Sequence, residues 1–140
     1  MSNALYDPAR EGFLNAEISW NVATIKASLV RGSFTASHKF VSDFTGAGGT
    51  LVSTVTLASK SITNGIANAA GVTFTAVAAG AAIPAVLIYQ ASAVGGGSDV
   101  ASSAQRLICW IDTATGLPVT PDGLDITNAW DSGTYKIFKL

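Results

Sequence analysis

Thr50-Leu51-Val52-Ser53-Thr54-Val55-Thr56-Leu57 and Ile83-Pro84-Ala85-Val86-Leu87-Ile88-Tyr89-Gln90-Ala91 decide how this chain is read. The first segment alternates apolar residues with Ser and Thr, the period-2 pattern of a half-buried strand. The second is a short apolar run rich in β-branched residues, bounded by Pro84 at its start, where a missing N–H is tolerated. Between them, Val72-Thr73-Phe74-Thr75-Ala76-Val77 reads as a strand on its β-branched and aromatic content. Residues 60–63 run as a strand into Asn64-Gly65, a hairpin turn pair.

Working outward, residues 24–31 place Ile25, Ala27 and Leu29 on one strand face, and residues 106–113 form another strand. Residues 124–130 and 134–140 are expected to pair with each other through Asp131-Ser132-Gly133. Gly95-Gly96-Gly97-Ser98 reads as a flexible loop, and residues 116–123, with Pro118, Pro121 and Asp122, as a turn-rich connection. Asp7 and Pro8 suit the start of a short helix near residues 7–15, with Leu5, Phe13 and Leu14 on its apolar side. A helical turn is expected over 37–45, where His38, Val41 and Phe44 share a face. About eight strands at short spacing predict a single mainly β domain over 1–140: an antiparallel β-sandwich or jelly-roll-like barrel with a short N-terminal helix.

The chain has 140 residues, of which 49% are apolar and 12% charged. An ordinary domain carries about 25% charged residues. The apolar run 71–93 is interrupted by Thr73, Thr75, Pro84 and Gln90, which argues against a spanning helix and for strands. A net charge of −1 with scattered basic residues leaves no electrostatic footprint for nucleic acid. Cys109 is the one cysteine, so no intrachain disulfide forms. The first ten residues show no secretory pattern, and synthesis in the cytoplasm is expected.

Residues with chemistry are few. His38 is the only histidine and has no orienting carboxylate beside it in sequence, so it reads as a surface or structural residue. Cys109, inside Leu107-Ile108-Cys109-Trp110-Ile111, reads as a small buried hydrophobe. Gly46-Ala47-Gly48-Gly49-Thr50 lacks the Gly-Lys-Ser/Thr ending of a phosphate loop. Asp112, Asp122, Asp125 and Asp131 fall near turns at spacings that match no calcium loop. No catalytic, cofactor or metal site is therefore assigned. Trp20, Trp110 and Trp130 would serve as stacking platforms for a carbohydrate only if two of them stood exposed on one face; packing is their ordinary role.

The distribution of charge is the more telling feature. Of the 8 basic and 9 acidic side chains, only Lys60 lies in the 54 residues from Thr45 to Ser98. Soluble monomers place charge on exposed strand edges to prevent edge-to-edge pairing. Ser, Thr, Asn and Gly supply some polarity here, but a charge-poor β surface also fits coverage by neighbouring subunits, because interface cores are depleted in charge. The interface residues expected on this basis are Leu51, Val55, Leu57, Ile62 and Ile66, with Trp20 and Trp130.

The order of segments adds a family likeness. Ala4-Leu5-Tyr6-Asp7-Pro8-Ala9-Arg10-Glu11-Gly12-Phe13-Leu14 leads to Glu17-Ile18-Ser19-Trp20 and Thr24-Ile25-Lys26-Ala27-Ser28-Leu29-Val30. His38-Lys39-Phe40-Val41-Ser42-Asp43, Val72-Thr73-Phe74, Leu87-Ile88-Tyr89-Gln90 and Leu107-Ile108-Cys109-Trp110-Ile111-Asp112 follow. The last segment is Leu124-Asp125-Ile126-Thr127-Asn128-Ala129-Trp130-Asp131. Over nearly the whole chain this resembles small virion structural proteins of tailed bacteriophages and prophages. Thr113-Ala114-Thr115-Gly116 stands where those proteins have an acidic turn. The resemblance implies no catalytic residues. It implies a capsid decoration (cement) protein on the virion surface, bound to major capsid protein or other virion proteins as a homo-oligomer, with a trimer favoured. A neck or tail ring component is the alternative, and a carbohydrate-binding β-sandwich the second alternative.

Overall fold

A computed structural model describes residues 4–114, 116–130 and 136–140. The N-terminal half holds β1 (Ala4–Leu5), α1 (Asp7–Leu14), β2 (Ile25–Arg31), α2 (Val41–Gly46) and β3 (Thr50–Thr56). Three short strands follow, β4 (Ser61–Thr63), β5 (Ile66–Asn68) and β6 (Val72–Phe74), and then β7 (Ala85–Gln90). The chain continues through β8 (Ser92–Ala93), β9 (Gly96–Asp99), β10 (Arg106–Ile111), β11 (Ile126–Asn128) and β12 (Phe138–Lys139). The fold is mainly β, as the alternation and β-branched content foretold. Its strands form four antiparallel sheets, and no closed barrel occurs among the described residues.

The main sheet has the order β1-β10-β7-β2-β3. All six residues of β7 and all six of β10 are buried. Successive side chains of a strand point to opposite faces, so this sheet is covered on both sides at its centre. Ile25, Ala27, Leu29, Leu87, Ile88, Leu107 and Ile108 are fully enclosed there. Burial falls off toward β3, the outer strand, whose residues are half-buried or exposed. β3 pairs Val55 with Ala27 and Ser53 with Leu29; a bulge then leaves Val52 without a partner in β2.

Three small sheets flank the main one. β4 and β5 form the hairpin expected at Asn64-Gly65, whose φ values of 51° and 77° are the paired left-handed conformations of a two-residue turn. The short helix and the helical turn both form, the second as α2. Asp43 accepts hydrogen bonds from the backbone N–H groups of Phe40 and Lys39, at 2.9 Å each. These bonds, Phe40's first, hold its carboxyl below the usual aspartate range.

Three local expectations change. Residues 124–130 and 136–140 do not pair with each other: β11 pairs with β6 and β12 with β5. The reason is burial, since Ile126 opposite Phe74 and Asn128 opposite Val72 place four buried residues on one face. The connecting Asp131-Ser132-Gly133 lies outside the described residues. The glycine run at 95–98 is not a free loop but the turn and second strand of the β8–β9 hairpin. The strand begun at Val72 stops at Phe74: Ala76 turns to a φ of 47°, and its N–H donates to the Asp125 carboxylate at 2.8 Å.

Candidate interaction surface

A groove of about 230 Å³ opens where the C-terminal end of α1 meets the β12-β5-β4 sheet. No side chain in its lining is charged, and the lining comes from four parts of the chain. Phe13 extends from α1, Ile18 and Trp20 from the following loop, Ile62 from β4, and Phe138 and Leu140 from the C-terminus. Trp20 meets Phe138 edge-on with ring centroids 5.3 Å apart, and Phe13 approaches Phe138 at 5.7 Å. The floor is therefore an aromatic cluster in a favoured geometry. Its rim is exposed: Ile62 and Leu140 keep 52% and 57% of their surface open.

Arg106 sets the wall that α1 supplies. Its side chain is buried, pairs with the Glu17 carboxylate and donates to the Pro8 carbonyl at 2.6 Å. The guanidinium thus ties the first turn of α1 and the loop that follows the helix to β10. Gly12 makes room for it, since a Cβ there would lie 2.7 Å from both Arg106 Nη2 and Ile18 Cδ1. Trp20 Nε1 donates to the Asn68 carbonyl at 3.2 Å, and Trp130 Nε1, which does not line the groove, donates to the Ala70 carbonyl at 3.0 Å. Two indoles from opposite ends of the chain thus hold the end of β5 and the short link that follows it.

The seven residues expected at an interface separate into three groups. Ile62 and Trp20 meet in the groove, Ile62 at its rim and Trp20 in its floor with 2% exposure. Leu51, Val55 and Ile66 are half-buried, the first two on β3 and packed against the core. Leu57 and Trp130 belong to the core at 4% and 9% exposure. Leu57 donates its N–H to the Ile25 carbonyl, continuing the pairing of β3 with β2. Phe13, Ile18, Phe138 and Leu140 were not anticipated as groove residues. The signal for Phe13 was present in the thin apolar side of the N-terminal helix.

The remaining candidates resolve individually. Trp20, Trp110 and Trp130 are all buried, so the pair of exposed indoles that a carbohydrate platform requires is not formed. Cys109 is buried in β10, and burial pushes its thiol pKa well up. Asp122 and Asp125 accept backbone hydrogen bonds from Leu124 and Ala76. No group of three metal-ligating side chains occurs among the described residues. Lys60, the lone charge of 45–98, donates to the Ala23 carbonyl, and burial lowers its pKa. Compared with family models, curated proteins and solved structures, the chain matches none.

Proposed function

We propose that this chain is a structural protein of a tailed-phage virion, a capsid decoration protein that stabilises the head by docking on neighbouring protein subunits. The observation that carries the reading is the aromatic groove, with no charged side chain in its lining and with Ile62 and Leu140 exposed at its rim. Contiguous exposed apolar surface of this kind favours a protein partner. An aromatic floor ringed by aliphatic side chains is the composition of an interface centre rather than its rim. The resemblance in segment order supports the choice of partner, major capsid protein or an adjoining virion protein. Many copies, each bridging subunits, would favour the assembled shell by mass action.

Quantitative mass analysis of purified virions tests the reading. A copy number similar to that of the capsid protein is expected. About a dozen copies or fewer would instead indicate a closed ring at the neck or tail. Absence from the particle would remove both versions.

A further inference from the structure

We infer that Asn64-Gly65 is a site of spontaneous covalent modification, where the chain converts its own asparagine to aspartate and isoaspartate when the β4–β5 hairpin opens. The reaction consumes only water. It does not depend on the proposed docking role.

Of the six asparagines, Asn64 alone is followed by glycine. The order matters because the attacking group is the backbone nitrogen of the next residue, and glycine leaves that nitrogen unshielded by a side chain. The turn also leaves both reactants unoccupied. Asn64 and Gly65 are exposed. Among the described residues, neither the Asn64 side chain nor the Gly65 N–H has a hydrogen-bond partner. Asp122-Gly123 is the comparable acidic pair, but there the Asp122 carboxylate is held by the Leu124 N–H at 3.1 Å.

The chemistry has two steps. The Gly65 nitrogen loses its proton to hydroxide and bonds to Asn64 Cγ; the side-chain amide nitrogen takes up a proton and leaves as ammonia. This closes a five-membered succinimide ring over the peptide link between the two residues. Water then opens the ring. Addition at the side-chain carbonyl leaves aspartate, and addition at the main-chain carbonyl leaves isoaspartate, whose backbone runs through the former side chain. Either product carries a carboxylate where a neutral amide stood.

The folded turn holds this reaction back. Asn64 has a left-handed φ of 51°. In the left-handed conformation Cβ lies opposite the following nitrogen and beside the residue's own carbonyl oxygen, so the ring cannot close. The hairpin must open first. β4 has three residues, all exposed, and is ladder-paired with β5 alone. A pairing of that length is marginal, and such units open without global unfolding. Gly65 and Ile62 both line the groove. Modification therefore sets a negative charge beside a lining without charged side chains, and isoaspartate lengthens the backbone of a two-residue turn. Any effect on docking rests on the proposed function; the modification itself does not.

The experiment is peptide mapping of the full chain after incubation in mildly alkaline buffer, with isoaspartate at residue 64 located by tandem mass spectrometry. The native chain should convert at Asn64 ahead of its other asparagines, and more slowly than the chain unfolded in guanidinium chloride. Below the unfolding transition the rate should stay flat with denaturant, because opening a hairpin exposes little surface. Ile62→Cys combined with Ala67→Cys supplies a lock, since these residues face each other across the hairpin at a non-hydrogen-bonded site within disulfide reach. The cross-linked variant should convert about tenfold more slowly than its reduced form. A native chain left unmodified at residue 64 after the unfolded chain has converted, equal rates in the two, a rate rising in step with the unfolded population, or equal rates in the cross-linked and reduced variant would each overturn the proposal.

Discussion

β7 and β3 lie one strand apart in the main sheet and are equally free of charge, yet they occupy opposite environments. β7 is buried along its full length between β10 and β2. β3, on the far side of β2, is ladder-paired along one edge only. In β7 the missing charge is a condition of folding, because an ionised side chain there would lose its hydration without a partner. In β3 the surface would accept charge at little cost to the fold, so its absence is a property of the surface. Charge depletion in 45–98 thus has two causes. The side chains separate them: Val86, Leu87 and Ile88 in one strand, Thr54 and Thr56 in the other.

The centre and the margin should respond differently to substitution. Leu87→Ala removes a fully buried side chain at the sheet centre and should cost about 3 kcal/mol in denaturant unfolding. A loss below about 1 kcal/mol would mean that β7 is not the packed centre. Gly12→Ala pushes a methyl group against Arg106 and Ile18 and should cost about 1–3 kcal/mol by overpacking, while loosening the α1 wall of the groove. Unchanged stability there would argue against the tight seat of α1.

Asp43→Ala, at the start of α2, should cost about 1 kcal/mol near neutral pH as a lost cap. The backbone bonds lower the folded carboxyl pKa, so the stabilisation is present above the unfolded value of about 4 and fades as pH falls through the lower folded value. The gap between wild type and Asp43→Ala should therefore narrow on acidification, and a pH-independent gap would exclude the charge effect. The smallest change in stability is expected at the margin: Ile62→Lys should shift it by no more than about 0.5 kcal/mol. The same substitution should abolish docking on assembled capsids in a co-sedimentation assay. Full binding by that variant would take the groove out of the proposed function.

The strands that became β2, β3, β7 and β10 were legible because their patterns are local: alternation, β-branched runs, and proline at a boundary. The β4–β5 turn was legible because Asn64-Gly65 specifies its own backbone. Pairing partners were not, since nothing local to residues 124–130 says that Ile126 will face Phe74. Gly96 and Gly97 read as freedom, yet their left-handed φ values of 90° and 97° serve the β8–β9 hairpin. The groove was half legible. Ile62 was visible as an apolar residue in a charge-poor strand. Phe13 and Phe138 lie 125 positions apart and acquire meaning only when folding brings their rings together.

The grip of Trp20 and Trp130 on the Asn68 and Ala70 carbonyls makes the molecule its own optical probe. An indole shifts its emission to the red when water reaches it. Loosening of the short link between β5 and β6 would wet two of the three tryptophans together, while Trp110 in β10 stays shielded by the main sheet. Occupation of the groove beside Trp20 could then be followed in real time without attaching a dye.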